Sequence, residues 1–167
     1  MGTTESHGTH TETAGVIARP PLLFLAALAV AFIVDHLLPL PFPISRTSLA
    51  HWISAILAGL MIFAGLSLAA NGIRNFARAA TPVPTNEPVS SLVTTGIHAW
   101  SRNPIYIAMF LLYVGIGLVV RSPWILLMTL PLAIAIRFGV IAREEAYLER
   151  CFGDAYRAYK ARVRRWF

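Results

Sequence analysis

Four long apolar runs follow one another along the chain, separated by short polar or proline-rich joints. They cover about 21–38, 49–70, 105–120 and 123–141. A membrane-crossing helix needs roughly 20 apolar residues, so the first, second and fourth runs qualify and the third is short. Pro20 and Pro21 stand where a helix start tolerates proline, and Pro39, Pro41 and Pro43 stop the first run. Asn71-Gly72 closes the second run. Only Arg121 and Ser122 divide the third from the fourth, which predicts a tight antiparallel hairpin. Pro131 is a candidate kink in the fourth helix. From about 143 to 163, Tyr147, Leu148, Cys151, Phe152, Tyr156 and Tyr159 recur at helical spacing, interrupted by Gly153. This predicts an amphipathic C-terminal helix at the membrane interface. Residues 1–19 are polar and lack periodicity, so a disordered tail is expected ahead of a single domain over 20–167. The expected fold is an all-α integral membrane protein of about four transmembrane helices.

Composition agrees. Hydrophobic residues make up 56% of the 167 residues and charged residues 13%, with mean hydropathy +0.63. A soluble domain carries about 25% charged residues, so disorder and a highly charged helical scaffold are excluded. The single cysteine, Cys151, excludes a disulfide framework within the chain and cysteine-rich zinc or iron–sulfur sites. The net charge of +6 does not point to nucleic acid, because its distribution is that of a membrane protein. Seven of the 14 Lys and Arg residues follow residue 142, in a basic tail suited to anionic headgroups. With four spans and the N-terminus inside, Arg19, Arg74, Arg78, Arg102 and that tail share one side, against Arg46 and Arg121 on the other. Both termini are therefore expected to be cytoplasmic. No basic region precedes the first run far enough to make a cleavable signal, so the run reads as a span. Met1-Gly2 with Ser6 fits a short myristoylation pattern, and His7 and His10 read as solvated residues of the tail. No metal site is expected.

Candidate chemistry concentrates in the non-hydrophobic stretch 71–103 and its surroundings. It holds Pro82, Pro84 and Pro88, then Leu92-Val93-Thr94-Thr95-Gly96, and runs into Ser101-Arg102-Asn103-Pro104-Ile105-Tyr106. A connection of about 30 residues in so small a membrane protein is usually functional. Pro104 fits the first turn of the third helix with Asn103 as cap, an arrangement that serves either plain capping or an anionic ligand group. Glu144 and Glu145 stand where the fourth span ends. They read either as a solvated helix start or as partners for a cationic ligand, Arg143, Arg137 or Arg102. Arg137 is the one charge deep in a span and either snorkels to headgroups or faces a cavity. Seven residues is close to two α-helical turns, so Arg137 and Glu144 are expected on a similar face. Asp35 and His36 read as interfacial. Gly115 and Gly117 lack the strand–turn–helix frame of a dinucleotide site and are expected to allow close helix contact. A nucleophile elbow, a P-loop and a His-Glu-x-x-His are all missing from the sequence.

The run from Leu92 to Tyr106 resembles the cofactor segment of isoprenylcysteine carboxyl methyltransferases and related membrane phospholipid methyltransferases. Glu144-Glu145, Leu148, Phe152-Gly153, Tyr156, Tyr159 and Val163 agree with the C-terminal part of the same family, so the resemblance covers about 71–165. It implies a helical membrane enzyme without a Rossmann domain that transfers a methyl group from S-adenosylmethionine to a lipophilic acceptor arriving from the bilayer. An isoprenylcysteine-type carboxylate is among the acceptors it implies. The implied cofactor contacts are Ser90, Ser91, Leu92, Val93, His98, Asn103, Pro104, Ile105, Tyr106 and Glu144. No proton-transferring residue is implied: the family often has His where this chain has Asn103, and Asn cannot hold a charge. The family also often has Tyr at the position of His98. Members acting on a prenylated cysteine carboxylate carry an arginine about one turn before the matching glutamate, where this chain has Val140. Arg137 or Arg143 is the candidate replacement. Two other readings stand beside this one. Membrane sterol and enoyl reductases share a similar C-terminal pattern with NADPH, and a non-enzymatic membrane scaffold would bind no nucleotide cofactor at all.

Overall fold

The computed structural model describes residues 14–81 and 88–167, and every regular element among them is helical. The expectations for Met1, Gly2, Ser6, His7 and His10, and for Pro82 and Pro84, lie outside the described residues.

Helix α1 covers Pro20–Leu37 and α2 covers Leu49–Arg78. Ser48 caps α2 by accepting the amide of His51 at 3.3 Å. At 30 residues, α2 is about 45 Å long and outreaches a hydrocarbon layer of roughly 30 Å. It continues two turns beyond the apolar run that ends near residue 70. There Asn75 leaves the helix side-on to donate to the Thr95 carbonyl at 3.0 Å. Helix α3 covers Pro104–Val120, and α4 covers Pro123–Ile134. Their joint is the expected tight hairpin. Arg121 takes the left-handed conformation (φ 58°, ψ 41°), and Ser122 donates its amide to Gly117 and caps α4 at Ile125. Arg121 also ties this turn to the α1–α2 joint, through the Ile44 carbonyl, His51 and the ring of Phe42.

The fourth run passes Pro131 and opens into a π turn over Ala135–Ile141. It then continues as α5 (Ala142–Arg162) rather than ending in a separate interfacial helix. Gly153, at φ 49° and ψ −121°, breaks α5 where the sequence places glycine. A π turn takes in an extra residue and rotates the downstream helix by roughly 100°. Arg137 and Glu144 therefore do not share a face, contrary to the α-helical expectation.

Helix α2 packs on α3, and α1 packs on α4. Glycines make the first contact close. A side chain on Gly65 would meet the Ala108 carbonyl, and one on Gly115 would meet Ile62 and the Ala58 carbonyl. Gly117 does the same against Ile125 of α4. The expected role for Gly115 and Gly117 holds. The core gathers Phe24 and Ala31 of α1, Tyr113 of α3, and Ile125, Leu132 and Ile136 of the fourth run. Outward-facing side chains are large and apolar, with Leu49 75%, Phe63 71% and Leu130 70% exposed, a surface suited to lipid rather than water. Among the described residues, three helical stretches are long and apolar enough to cross a membrane: Pro20–Leu37, Leu49–Arg78, and the run beginning at Pro123. Helix α3, at 17 residues, is shorter.

Residues 14–19, expected as the end of a disordered tail, are docked. Ile17 donates its amide to Gly139, Arg143 donates to the Gly15 carbonyl at 2.7 Å, and Ala14 is buried near Tyr147. An apolar Ala-Gly-Val-Ile stretch fits over the small residue Gly139, which leaves room for Ile17.

Candidate active site

The start of α1, the end of α2, the segment 89–93, the start of α3 and the inner face of α5 converge at one end of the bundle. They enclose a cavity of about 660 Å³. That volume lies within the range of small-molecule sites. Its walls divide by chemistry. Pro20, Pro21 and Leu22 of α1, Ile73 and Phe76 of α2 and Met109 of α3 make an apolar wall. His98, Arg102, Asn103, Glu144, Glu145, Tyr156 and Tyr159 make a polar end.

The polar end is built from three sets of contacts. Tyr106 donates its hydroxyl to Glu144 Oε1 at 2.8 Å, linking α3 to α5. Glu144 lies past the apolar span, which ends at Ile141. Burial pushes its carboxyl up to about 7, with the Tyr106 hydrogen bond opposing and the Glu145 charge adding to the shift. His98 sits in a 3₁₀ turn, Gly96–Ala99, whose first glycine takes φ +60° against the Asn75 amide. Burial lowers the His98 imidazole to about 4, so it is neutral at physiological pH. Because Asn75 Nδ2 already donates to Thr95, its 3.4 Å approach to His98 Nδ1 casts Nδ1 as the acceptor. Tyr159 donates to the His98 carbonyl at 2.7 Å and fixes the turn to α5.

The third set ties the C-terminal tail to the polar end. Arg165 grips Glu145 bidentately, at 2.8 Å through Nε and 2.6 Å through Nη2, and Arg102 Nη2 approaches the same carboxylate at 3.3 Å. Burial alone would raise Glu145, but these cations outweigh it and hold the carboxyl below its usual range. The tail backbone is strapped to the α3 entrance as well. The Arg102 amide donates to Arg164, and Ser101 Oγ and Asn103 Nδ2 both donate to the Arg165 carbonyl. Asn103 therefore does not cap α3 with its side chain, as the sequence pattern suggested; it holds the tail. Arg102 Nε and Nη1 are buried with no hydrogen-bond partner among the described residues, and Tyr156 lies beside the guanidinium.

Of the residues singled out from sequence, Ser91, Leu92, Val93, His98, Asn103, Pro104, Ile105, Tyr106 and Glu144 all line the cavity. Ser90 does not: it is exposed, with its amide on Thr81 and its hydroxyl on the Ala80 carbonyl. Neither candidate replacement for the acceptor arginine lines it. Arg143 is held by Gly15, and Arg137 faces a groove on the other side of α3. Val140, at the matching position, is fully buried in the core. Of the strap formed by Glu145, Arg102 and Arg165, the sequence offers only the Arg102–Glu145 pair, among several possible pairings, and not the Arg165 contact. The reason is that Arg165 lies 20 residues from Glu145, beyond a kinked helix.

Pocket and strap contain polar groups that complement a ligand with both charges. Arg102 offers buried donors and Glu144 an acceptor, beside an apolar wall large enough for a flat ring. The phospholipid methyltransferase family profile matches residues 53–155, which include most of these elements. A stretch of 26 residues is 73% identical to part of an uncharacterized protein of Haemophilus influenzae (strain Rd), covering 16% of this chain and 41% of that one. No solved structure matches.

Proposed function

Because the chain belongs to the phospholipid methyltransferase family, whose members are S-adenosylmethionine-dependent methyltransferases, we propose that it methylates a lipid acceptor reached from the bilayer. One observation carries this reading: one cavity joins a polar end built from the motif residues to an apolar wall drawn from α1, α2 and α3.

The residues fit the cofactor. Glu144, His98 and the segment Asn103–Tyr106 would hold it, with the Arg102 guanidinium beside its carboxylate. When bound, S-adenosylmethionine supplies an electrophilic methyl group on a sulfonium. The chain's own task is alignment and exclusion of water, because an in-line displacement depends on orientation at near-contact distance. Tyr106 fixes the Glu144 carboxyl by a 2.8 Å hydrogen bond, so the acceptor oxygen is already oriented. Apolar walls from Ile105, Met109 and Leu148 keep water from the reacting atoms, where a low-polarity surround favours dispersal of charge. Glu145, Arg102 and Arg165 hold the tail across the polar end.

In this reading α3 completes a four-span bundle, and its shortness is met by its packing on α2. Both termini face the cytoplasm, on the basis of the arginine distribution. The acceptor is a lipid amine rather than a carboxylate. A carboxylate acceptor calls for a dedicated cation, and Val140, Arg137 and Arg143 provide none on the cavity wall. The two cations that do line it, Arg19 and Arg102, share that wall with Glu144 and Glu145, so the polar end is not an anion trap.

The test supplies methyl-labelled S-adenosylmethionine to the protein in vesicles of mixed phospholipids. The expected product is a lipid-extractable label that alkali does not release as methanol, since an N-methyl bond survives it, and that Glu144→Gln does not form. A label released by alkali as methanol overturns the amine acceptor, and the absence of lipid label overturns the activity.

A further inference from the structure

A second concavity lies on the opposite face of α3. It is a groove of about 590 Å³ between Met61 of α2, the outer face of α3 and the π turn, with Trp166 and Phe167 of the tail completing its lining. It is separate from the cavity above. Ile105, Tyr106 and Met109 line that cavity, whereas Ile107, Phe110, Leu111 and Val114 line this groove. Among the described residues, Arg137 is the one charged residue lining it. Among the described residues, Arg137 has no hydrogen bond and no carboxylate within ion-pair distance. Its guanidinium lies over the ring of Phe138, 5.2 Å from the centroid, and its charge reaches Glu145 only through space. The nearby Glu145 carboxylate is already taken by Arg165 and Arg102.

An unpaired guanidinium inside a span is costly and calls for a partner. The π turn puts it there, by rotating Arg137 off the face that carries Glu144. Arg137 lies four residues before Ile141, so its Cα is about 6 Å inside the end of the apolar span, within side-chain reach of headgroup phosphates. Guanidinium matches phosphate with two parallel hydrogen bonds and is weakly hydrated. The rest of the wall is aliphatic and aromatic, which suits an acyl chain and excludes a soluble anion. Trp166, which lines the groove and packs on Phe110, is the residue type that settles at headgroup level.

We propose that this groove binds one anionic phospholipid, its phosphate on Arg137 and an acyl chain along Phe110, Leu111, Val114 and Ile134. The site is distinct from the methyl-transfer cavity and does not depend on that reading.

Native mass spectrometry of the detergent-purified full chain, titrated with phosphatidylglycerol or phosphatidylcholine of matched chains, tests it. Wild type is expected to retain one phosphatidylglycerol about tenfold more tightly than phosphatidylcholine, the size of one charge-assisted contact. Arg137→Gln loses that preference. Leu111→Trp, which fills the groove and keeps the charge, loses the bound lipid. Arg137→Lys, the variant that keeps a cation if Gln does not fold, retains a reduced preference. Equal retention of the two lipids by wild type, a preference that survives Arg137→Gln, or a dimer of the chain in place of the lipid-bound monomer overturns the proposal.

Discussion

Replacing Glu145 by Gln removes one carboxylate and leaves two guanidinium groups facing each other. The Glu145 side chain is 11% exposed, Arg102 8% and Arg165 28%. Among the described residues Glu145 is the carboxylate in ion-pair range of Arg102, and two of the Arg102 nitrogens are already buried without hydrogen-bond partners. Breaking a buried pair by removing one member costs about 3–5 kcal/mol, because it leaves an uncompensated charge. Arg165→Gln is the informative contrast. It leaves Glu145 paired with Arg102 and removes a guanidinium that is more exposed, so its cost is about 1–2 kcal/mol. The expected order is therefore Glu145→Gln well above Arg165→Gln, by about 2 kcal/mol or roughly 30-fold in the unfolding equilibrium. Unfolding by a denaturing detergent in mixed micelles measures both. Limited trypsin digestion supplies a second readout, because freeing the strap exposes the bonds after Arg162 and Arg164 in either variant. If Glu145→Gln costs no more than Arg165→Gln, or if neither variant speeds cleavage of the tail, the strap does not hold the structure as described.

Three further outcomes rest on other parts of the structure. Gly115→Val places a side chain 2.8 Å or less from Ile62 and should destabilise the α2–α3 contact by about 1–3 kcal/mol, whereas Gly59→Ala, with nothing within 4 Å, should not destabilise at all; the same unfolding titration compares them. Tyr106→Phe removes the hydroxyl bonded to Glu144 and should cost about 1–3 kcal/mol in that assay. The imidazole of His98 is lowered from 6.5 to about 4, so native protein binds fewer protons there than unfolded protein. Its contribution is fully present above pH 6.5 and is lost as pH falls toward 4, by at most about 3 kcal/mol. Melting curves of wild type and His98→Gln across that window should converge or cross as pH falls, and parallel curves would refute the assignment.

The apolar runs, the Arg121-Ser122 hairpin and the Leu92–Tyr106 motif were all legible, because each is local: a run length, a two-residue joint, a short string of side chains. Helix α2 outlasted its apolar run because Arg74, Asn75 and Arg78 extend it beyond the lipid, where helical backbone needs no apolar face. The face of Arg137 was misread for a similar reason. Seven residues mean two turns only in an α-helix, and no single residue between Ala135 and Ile141 announces a π turn. Asn103 looked like a cap because caps are read from nearby sequence, whereas its partner, the Arg165 carbonyl, is 62 residues away. The same distance hid the strap. Only the fold brings Ser101, Arg102 and Asn103 to the tail, and it does so beside the cavity where the motif residues meet.

Calorimetric titration of S-adenosylhomocysteine into the folded, detergent-solubilised protein, with Glu144→Gln and an NADPH titration alongside, tests the central reading most directly. The account predicts saturable binding of S-adenosylhomocysteine that weakens or disappears in Glu144→Gln, and no binding of NADPH. Binding of NADPH without S-adenosylhomocysteine, or binding of neither by protein shown to be folded, would contradict it.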